Sequence, residues 1–307
     1  MEQKIKTHKL SSRIKKILEE INKITGEERF ILYGGASIDL LINKNTKIHD
    51  LDIAIKGINR YRIRKCREKI KKQGFEIIEP SRKYYIHKSK EVILIYAKNK
   101  RWFLDIAFLD NFALIGHFNI ETLFFRYPQL DYVDRFEALK NIKKKKIRLI
   151  RDLKKENPHL LLGRFLRLCS KYEISLNEHK HRKILLDLKT KIQQWKIVSN
   201  FHKNAYVSCI SSLLKSIIQS HNKRLFVKIL IDTSILTAIF PELERVVDIY
   251  RSELIKKISN VRKKRGVVVL FGRYLKAPEL KLFKKKIKIL KTRRWNEQDV
   301  ECSNYFA

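Results

Sequence analysis

The chain has 307 residues, 44% of them hydrophobic, which is enough for one large core or two to three smaller ones. Lysine and arginine outnumber acidic residues 69 to 32, and the resulting net charge of +37 favours a polyanionic partner, nucleic acid before membrane. An AT-rich genome explains the preference for lysine over arginine, but it explains this surplus of positive charge less well. We find no run of ~18 apolar residues, no targeting signal and no paired cysteines, and therefore expect a protein of the cytoplasm, or of the interior of an organelle that encodes it.

The first elements in chain order are an amphipathic helix and a strand–turn–helix unit. Apolar residues at helical spacing predict the helix over 10–24, with Gly26 ending it. An apolar run over 30–33 predicts a buried strand, and Gly34-Gly35 then let the backbone turn sharply and approach a ligand. The helix predicted over 36–42 directs its first N–H groups at this turn, so an anion can bind there, with the Ser37 hydroxyl as a further donor.

The next strand, over 50–55, carries two acidic residues. Because alternate strand residues share a face, Asp50 and Asp52 point together out of the core, with Cα atoms roughly 6.5–7 Å apart. Two such carboxylates can hold a pair of divalent cations. Alone, a Gly-Gly pair is most often a turn and an Asp-x-Asp a solvated strand end, but their order here indicates nucleotidyl transfer.

The third acidic candidate is Asp105. A basic helix is expected over 60–73, followed by strands over 75–78, 84–87, 92–96 and 102–108, the last of which sets Asp105 among apolar residues. A buried charge without a partner is costly, so Asp105 either joins the metal site or forms an ordinary ion pair.

From Phe118 onward β signals fade, and we expect helices, including one over 160–168 and later ones over 210–220 and 225–239. The run Lys143, Lys144, Lys145 and Lys146 is either a solvated patch or a phosphate contact. Beyond residue 248 the chain is strongly basic, and we expect this part to bind the RNA backbone. The candidate contacts are Lys284, Lys285, Lys286, Arg293 and Arg294. Aromatic residues interleaved with these clusters fit either base stacking or core anchors.

The opening unit resembles the head domain of the tRNA nucleotidyltransferase and bacterial poly(A) polymerase family, whose motif is Gly-Gly-x-x-Arg-Asp followed by Asp-x-Asp. Gly34, Gly35 and Asp39 match it, as do Asp50 and Asp52. The likeness continues in order to about residue 245, through 118–123, 134–150 and 239–243.

A neck motif is part of the same resemblance. Glu156-Asn157, followed by Arg164 and Arg167, is similar to the family's Glu-Asp-x-x-Arg and the arginine helix behind it. The family's Asp and Arg read the incoming base, and here Asn157 and Leu160 stand in their places. Arginines are also missing at Ile38 and His117.

The resemblance implies an α+β fold, with a polymerase β-like head (1–115) holding a mixed sheet, a helical, nucleotide-facing neck (116–190) and a helical body with a basic, RNA-binding tail (191–307). It implies a two-metal Mg²⁺ site on Asp50 and Asp52, with Asp105 as a third catalytic residue. Gly34, Gly35, Ser37 and Asp39 would bind the nucleotide, together with Glu156, Asn157, Arg164 and Arg167.

The implied activity is transfer of a nucleotide from CTP or ATP to an RNA 3′ end, with tRNA CCA or partial CC/A addition preferred to poly(A) synthesis. The missing arginines leave open an RNA-binding protein that has lost catalysis. A small-molecule or protein nucleotidyltransferase is less consistent with the basic tail. No feature identifies a protein partner.

Overall fold

The computed structural model describes residues 7–42, 47–78, 84–87, 90–109, 116–153, 155–195 and 200–291. The chain divides into two compact units, Met1–Lys144 and Lys145–Ala307. The first unit contains a mixed sheet with helices and the second is helical, which confirms the predicted fold class. Division of the second unit into neck and body stays a prediction.

Nine strands within the described part of the chain form the sheet of the first unit. Eight of them follow one another in the order β1-β9-β8-β2-β3-β7-β6-β4, and β5 pairs with β6. The pair β3–β7 is parallel and the other pairs are antiparallel. Their bounds are β1 Thr7–Lys9, β2 Phe30–Tyr33, β3 Asp50–Lys56, β4 Glu76–Ile78, β5 Tyr84–His87, β6 Lys90–Lys98, β7 Phe103–Leu109, β8 Leu123–Tyr127 and β9 Asp131–Asp134.

The expectation that β structure ends at Phe118 is wrong. Strands β8 and β9 follow it, and β8 pairs with β2 on one side and with β9 on the other. The apolar run at the start of β8 fits a buried helix as well as a strand, and only pairing with β2 decides between them. The first unit therefore continues past residue 115, where the head was expected to end, to Lys144.

Four α-helices lie in the described residues of the first unit: α1 Ser12–Thr25, α2 Gly34–Ile42, α3 Arg60–Lys72 and α4 Ala138–Lys143. Helix α1 ends where the sequence predicts, because Gly26 adopts the left-handed conformation and its N–H donates to the carbonyl of Asn22. Asn59 begins α3 by accepting hydrogen bonds from the N–H groups of Tyr61 and Arg62.

The second unit holds the remaining helices: α5 Pro158–Lys171, α6 His179–Gln194, α7 Asn200–Gln219, α8 Lys223–Asp232, α9 Ile235–Ile239, α10 Glu244–Ile258, α11 Lys264–Gly272 and α12 Ala277–Lys291. The single helix expected over 225–239 is wrong, because Ser234 takes a left-handed φ of 56° and separates α8 from α9. In the described part of the chain, no helix combines the length and apolar character needed to cross a bilayer.

A buried histidine lies between two helices of the second unit. His159 of α5 is 3% exposed, and its ring meets that of Tyr206 on α7 edge to face, with 5.2 Å between centroids. Burial, with a smaller effect of nearby His202, lowers the pKa of His159 to about 4. The folded chain therefore holds this imidazole neutral across mildly acidic pH.

This histidine should make the second unit sensitive to acid. Between pH ~6.5 and ~4 the unfolded chain binds a proton at His159 that the folded chain does not. The free energy of unfolding therefore decreases as the pH is lowered through this range, by up to about 3 kcal/mol. Chemical denaturation followed by circular dichroism at pH 7 and pH 4.5 measures this loss. In the His159→Gln variant the loss should shrink, and an unchanged pH dependence would contradict the assignment.

Candidate active site

The Gly34 turn joins β2 directly to α2 and lies against an acidic side chain of β3. Gly34 has a φ of 74°, a conformation that L-residues with a Cβ rarely adopt. A Cβ placed on Gly34 would lie 2.2 Å from Oδ2 of Asp52. Glycine is thus required twice, by the backbone turn and by the close approach of the Asp52 carboxylate.

Four side chains stand in one row across the sheet beside this turn. Asp52 of β3 is in register with Asp105 of the parallel strand β7. Tyr33 of β2 is opposite Asp52, and Tyr96 of β6 is opposite Asp105. Because registered residues share a face and neighbouring strands lie ~4.8 Å apart, two carboxylates lie side by side between two phenol rings.

Asp50 lies on the same face, two residues before Asp52 in β3, and is exposed. Its partner in β7 is Phe103, whose ring is 6.2 Å from that of Tyr96 between centroids. The face therefore carries three carboxylates on two adjacent parallel strands, with aromatic rings beside them.

These carboxylates fit Mg²⁺, although no group of three or more His, Cys, Asp or Glu side chains in the described residues is arranged to hold a metal. Oxygen ligands are those Mg²⁺ prefers, and it is commonly held by one or two carboxylates together with substrate phosphates. The Asp52–Asp105 pair supplies that number, and Gly35 of the adjoining turn is exposed.

An apolar cluster borders the carboxylates. Ala54 and Ala107 follow Asp52 and Asp105 by two residues, so they share the same face, and both are buried. Ile31, Leu109, Phe124 and Val133 complete the cluster, with Tyr33 and Leu94 packed against it. The acidic row thus marks the boundary between an apolar part of this face and its open end at Asp50.

Ser37 does not have the position expected of a phosphate ligand. It is fully buried, and its hydroxyl lies 2.8 Å from the carbonyl oxygen of Gly34 and 2.9 Å from that of Leu123, to which it donates. With its hydrogen committed to backbone acceptors, this side chain fixes the Gly34 turn to β8. Among the neighbouring expected residues, Gly35 is exposed and Asp39 is half-buried on α2.

Asn157, expected to read a base, caps helix α5. Its Oδ1 accepts hydrogen bonds from the N–H groups of His159 (3.0 Å) and Leu160 (3.2 Å), and Pro158 occupies the first helical turn. The side chain is buried, and its Nδ2 has no hydrogen-bond partner among the described residues. One end of the amide is therefore structural, and only the other end remains as a donor.

The other expected nucleotide contacts lie on or just before α5. Glu156 and Arg164 are half-buried and Arg167 is exposed. The two arginines are three residues apart on one helix and so project from neighbouring positions of its surface.

The lysine run does not behave as one patch. Lys143, Lys144 and Lys146 are exposed, whereas the Lys145 ammonium donates to the carbonyl of Tyr172 at 2.6 Å and pairs with Glu173 at 3.6 Å. Lys145 thus secures the end of α5, and its assignment as a free phosphate contact is corrected accordingly.

The α12 lysines divide in the same way. Lys286 pairs with the buried Glu242 at 2.7 Å and so neutralises an internal carboxylate, which corrects its assignment to RNA. Lys285 is exposed and Lys284 is half-buried. Arg293 and Arg294 lie outside the described residues. Of the interleaved aromatics, Phe271 and Phe283 are core residues, each no more than 1% exposed.

Tyr33 and Tyr96 are the site residues that sequence reasoning missed. Tyr33 is the last residue before Gly34, and Tyr96 lies in a strand with no acidic motif of its own. Only the strand register shows that they flank Asp52 and Asp105. The one available signal was the position of Tyr33 directly before the glycine pair.

Comparison with solved structures gives 23 matching chains. A Thermotoga maritima CCA-adding enzyme complexed with tRNA superposes with a TM-score of 0.62 at 14% identity, over 98% of this chain and 72% of that one. A CCA-adding enzyme with CTP superposes with a TM-score of 0.60 at 13% identity, over 98% of this chain and 71% of that one. A tRNA-processing enzyme in an apo form superposes with a TM-score of 0.58 at 15% identity, over 92% of this chain and 76% of that one.

No protein-family model matches the chain, and no curated protein matches its sequence. At identities of 13–15% the structural likeness establishes the fold. The chain therefore has the fold of the CCA-adding enzymes, a sheet-containing head followed by a helical part.

The contact between Gly34 and Asp52 can be tested by stability alone. Gly34→Ala should lower the free energy of unfolding by more than the left-handed backbone conformation alone explains. The additional loss should be about 1–3 kcal/mol, because the Asp52 carboxylate is forced to move. Gly74→Ala is the matched control, because Gly74 has a φ of 77° and a Cβ added to it would meet no other atom within 4 Å.

A double-mutant cycle separates the two contributions. Adding Asp52→Ala to Gly34→Ala should recover the part of the loss that comes from the close approach, whereas adding it to Gly74→Ala should not. Urea denaturation of the wild type, the three single variants and the two double variants gives the coupling energy at each glycine. Strict additivity at Gly34 would disprove the contact.

Proposed function

We propose that this chain is an RNA 3′-end nucleotidyltransferase that joins a nucleoside monophosphate from an NTP to an RNA 3′ hydroxyl. The observation that carries the proposal is the pairing of Asp52 with Asp105 on adjacent parallel strands, beside the Gly34 turn, where the left-handed backbone and the close Asp52 carboxylate both favour glycine. A net charge of +37 and the fold shared with CCA-adding enzymes support RNA as the acceptor.

Asp52 and Asp105, with Asp50 at the open end of the face, would hold Mg²⁺ through carboxylate oxygens. When bound, Mg²⁺ supplies positive charge that lowers the pKa of the attacking hydroxyl and neutralises the leaving pyrophosphate.

Gly34 and Gly35 would receive the triphosphate. The Gly34 turn brings open backbone next to the carboxylates, and N–H groups at the start of α2 can donate to phosphate oxygens. Ser37 acts indirectly by holding this turn against β8. Tyr33 and Tyr96 would form the walls on either side of the acidic pair.

Within this class, we propose tRNA CCA or partial CC/A addition in preference to poly(A) synthesis. The solved complexes with tRNA, CTP and ATP on the same fold support that choice. Base selection should nevertheless be weaker than with the full family motif, since Asn157 uses its oxygen to cap α5 and Leu160 offers no hydrogen bond. The Asn157 amide NH₂ is itself buried, which limits its contact with a base further.

Transfer of labelled nucleotides tests the activity. Purified protein with Mg²⁺, a 3′-trimmed tRNA and each labelled NTP in turn should extend the RNA, with CTP and ATP preferred. Asp52→Asn and Asp105→Asn preserve side-chain shape but remove charge, so each should lower the rate by roughly 10²–10³-fold or more. Asp187→Asn, an exposed change on α6, is the matched control.

Circular dichroism should find all three variants folded. Activity within a few-fold of wild type in Asp52→Asn would refute the catalytic assignment. A wild-type protein that binds RNA but incorporates no nucleotide would favour the alternative, an RNA-binding protein on this fold that has lost catalysis.

A further inference from the structure

The first unit contains a second feature, beside the residues that precede β3 and β7. A cavity of about 540 Å³, here called the Trp102 cavity, is bounded by one side of α1, the residues before β3 and the turn before β7. Its charged lining consists of the cations Arg13, Lys16, Lys47 and Arg101 and the single carboxylate Glu20. A volume of this size is typical of small-ligand sites and suffices for a nucleotide unit.

The cavity lies next to the proposed active site in sequence. His49 and Trp102 line it, and they immediately precede Asp50 and Phe103, which are paired in register. Because neighbouring residues of an extended chain point to opposite faces, we expect His49 and Trp102 to lie on the face away from Asp50 and Phe103. A triphosphate reacting at Asp52 would therefore occupy a different place.

Arg101 is held in position at this cavity before any ligand binds. The side chain of Asn99 accepts hydrogen bonds from the N–H groups of Arg101 (2.8 Å) and Trp102 (2.7 Å), which closes a tight turn. The guanidinium stacks 4.2 Å above the Trp102 ring and pairs with Glu20 at 3.2 Å. A cation fixed by stacking loses little conformational entropy on binding a phosphate, and its planar donors suit phosphate oxygens.

We propose that the Trp102 cavity binds a phosphate group of the RNA strand, a few nucleotides before its reacting 3′ end. Four cations against one carboxylate favour an anion, and the exposed Lys16 and Lys47 can meet it from two sides. Trp102 is 6% exposed and covered by Arg101, so the cavity recognises the backbone and not a base. The strand would then pass the edge of the sheet at His49 to reach Asp50.

The identity of the ligand as RNA rests on the proposed function, so the experiment measures binding without NTP or metal. A 5′-labelled single-stranded RNA is titrated with wild type, with the double variant Lys16→Glu/Lys47→Glu, and with the control Lys23→Glu/Arg29→Glu. The control changes two exposed cations of the same unit, one of them on α1, that do not line the cavity. Fluorescence anisotropy at several salt concentrations gives affinity and salt slope.

The cavity variant should bind roughly 10–30-fold more weakly at 0.1 M salt, and its salt slope should shrink by about 0.7, which is the loss expected for one phosphate contact to a single strand. The control should change affinity by only a few-fold. Equal losses in both double variants would overturn the proposal, since they would reflect general electrostatic attraction.

A second titration separates the two sources of phosphate. Isothermal calorimetry with CTP, ATP and inorganic pyrophosphate should show the same affinities for wild type and for Lys16→Glu/Lys47→Glu. Selective loss of nucleotide or pyrophosphate binding would overturn the assignment to the RNA strand. If the wild type transfers no nucleotide, the proposed function fails, while the RNA titrations still decide whether the cavity binds the strand.

Discussion

The approach of the Asp52 carboxylate to the Cα of Gly34 is the constraint on which the candidate site depends. With any larger residue at 34, Asp52 could not lie flat against the turn between β2 and α2. The same carboxylate is then in register with Asp105, because β3 and β7 run parallel. One steric contact and one strand pairing therefore bring the glycine motif and two distant acids into a single place.

Some of the basic residues that give the high net charge make contacts within the protein and do not serve as binding surface. Lys145 and Lys286 are committed to structural partners in the helical unit, and Arg245 of α10 holds Glu279 of α12. Arg245 and a backbone N–H lower the pKa of Glu279 to about 2. Exposed cations that are not held by such contacts, such as Lys285, are the ones placed to attract a polyanion. Counting basic residues alone overstates the binding surface.

The sequence predicted the turn, the acidic strand and most helices because each leaves a local signal: Gly34 follows an apolar run, and Asp50 and Asp52 alternate with buried residues. Asp105 lies beside Asp52, and Tyr33 and Tyr96 flank this pair, because of how the strands pair. No local sequence pattern encodes that pairing. The local pattern was misleading at Ser37, because a sequence does not show which side chains are buried. A serine hydroxyl beside a glycine turn is suited to bind phosphate, but this one donates to backbone carbonyls of Gly34 and β8.

Cation binding tests the central claim, that the Gly34 turn and the Asp52–Asp105 pair form a metal-dependent site. Electron paramagnetic resonance of free Mn²⁺ counts the ions bound per chain in the presence of a non-hydrolysable NTP analogue. We expect saturable Mn²⁺ binding by the wild-type protein that is lost in the folded double variant Asp52→Asn/Asp105→Asn. Equal binding by the two proteins would contradict it.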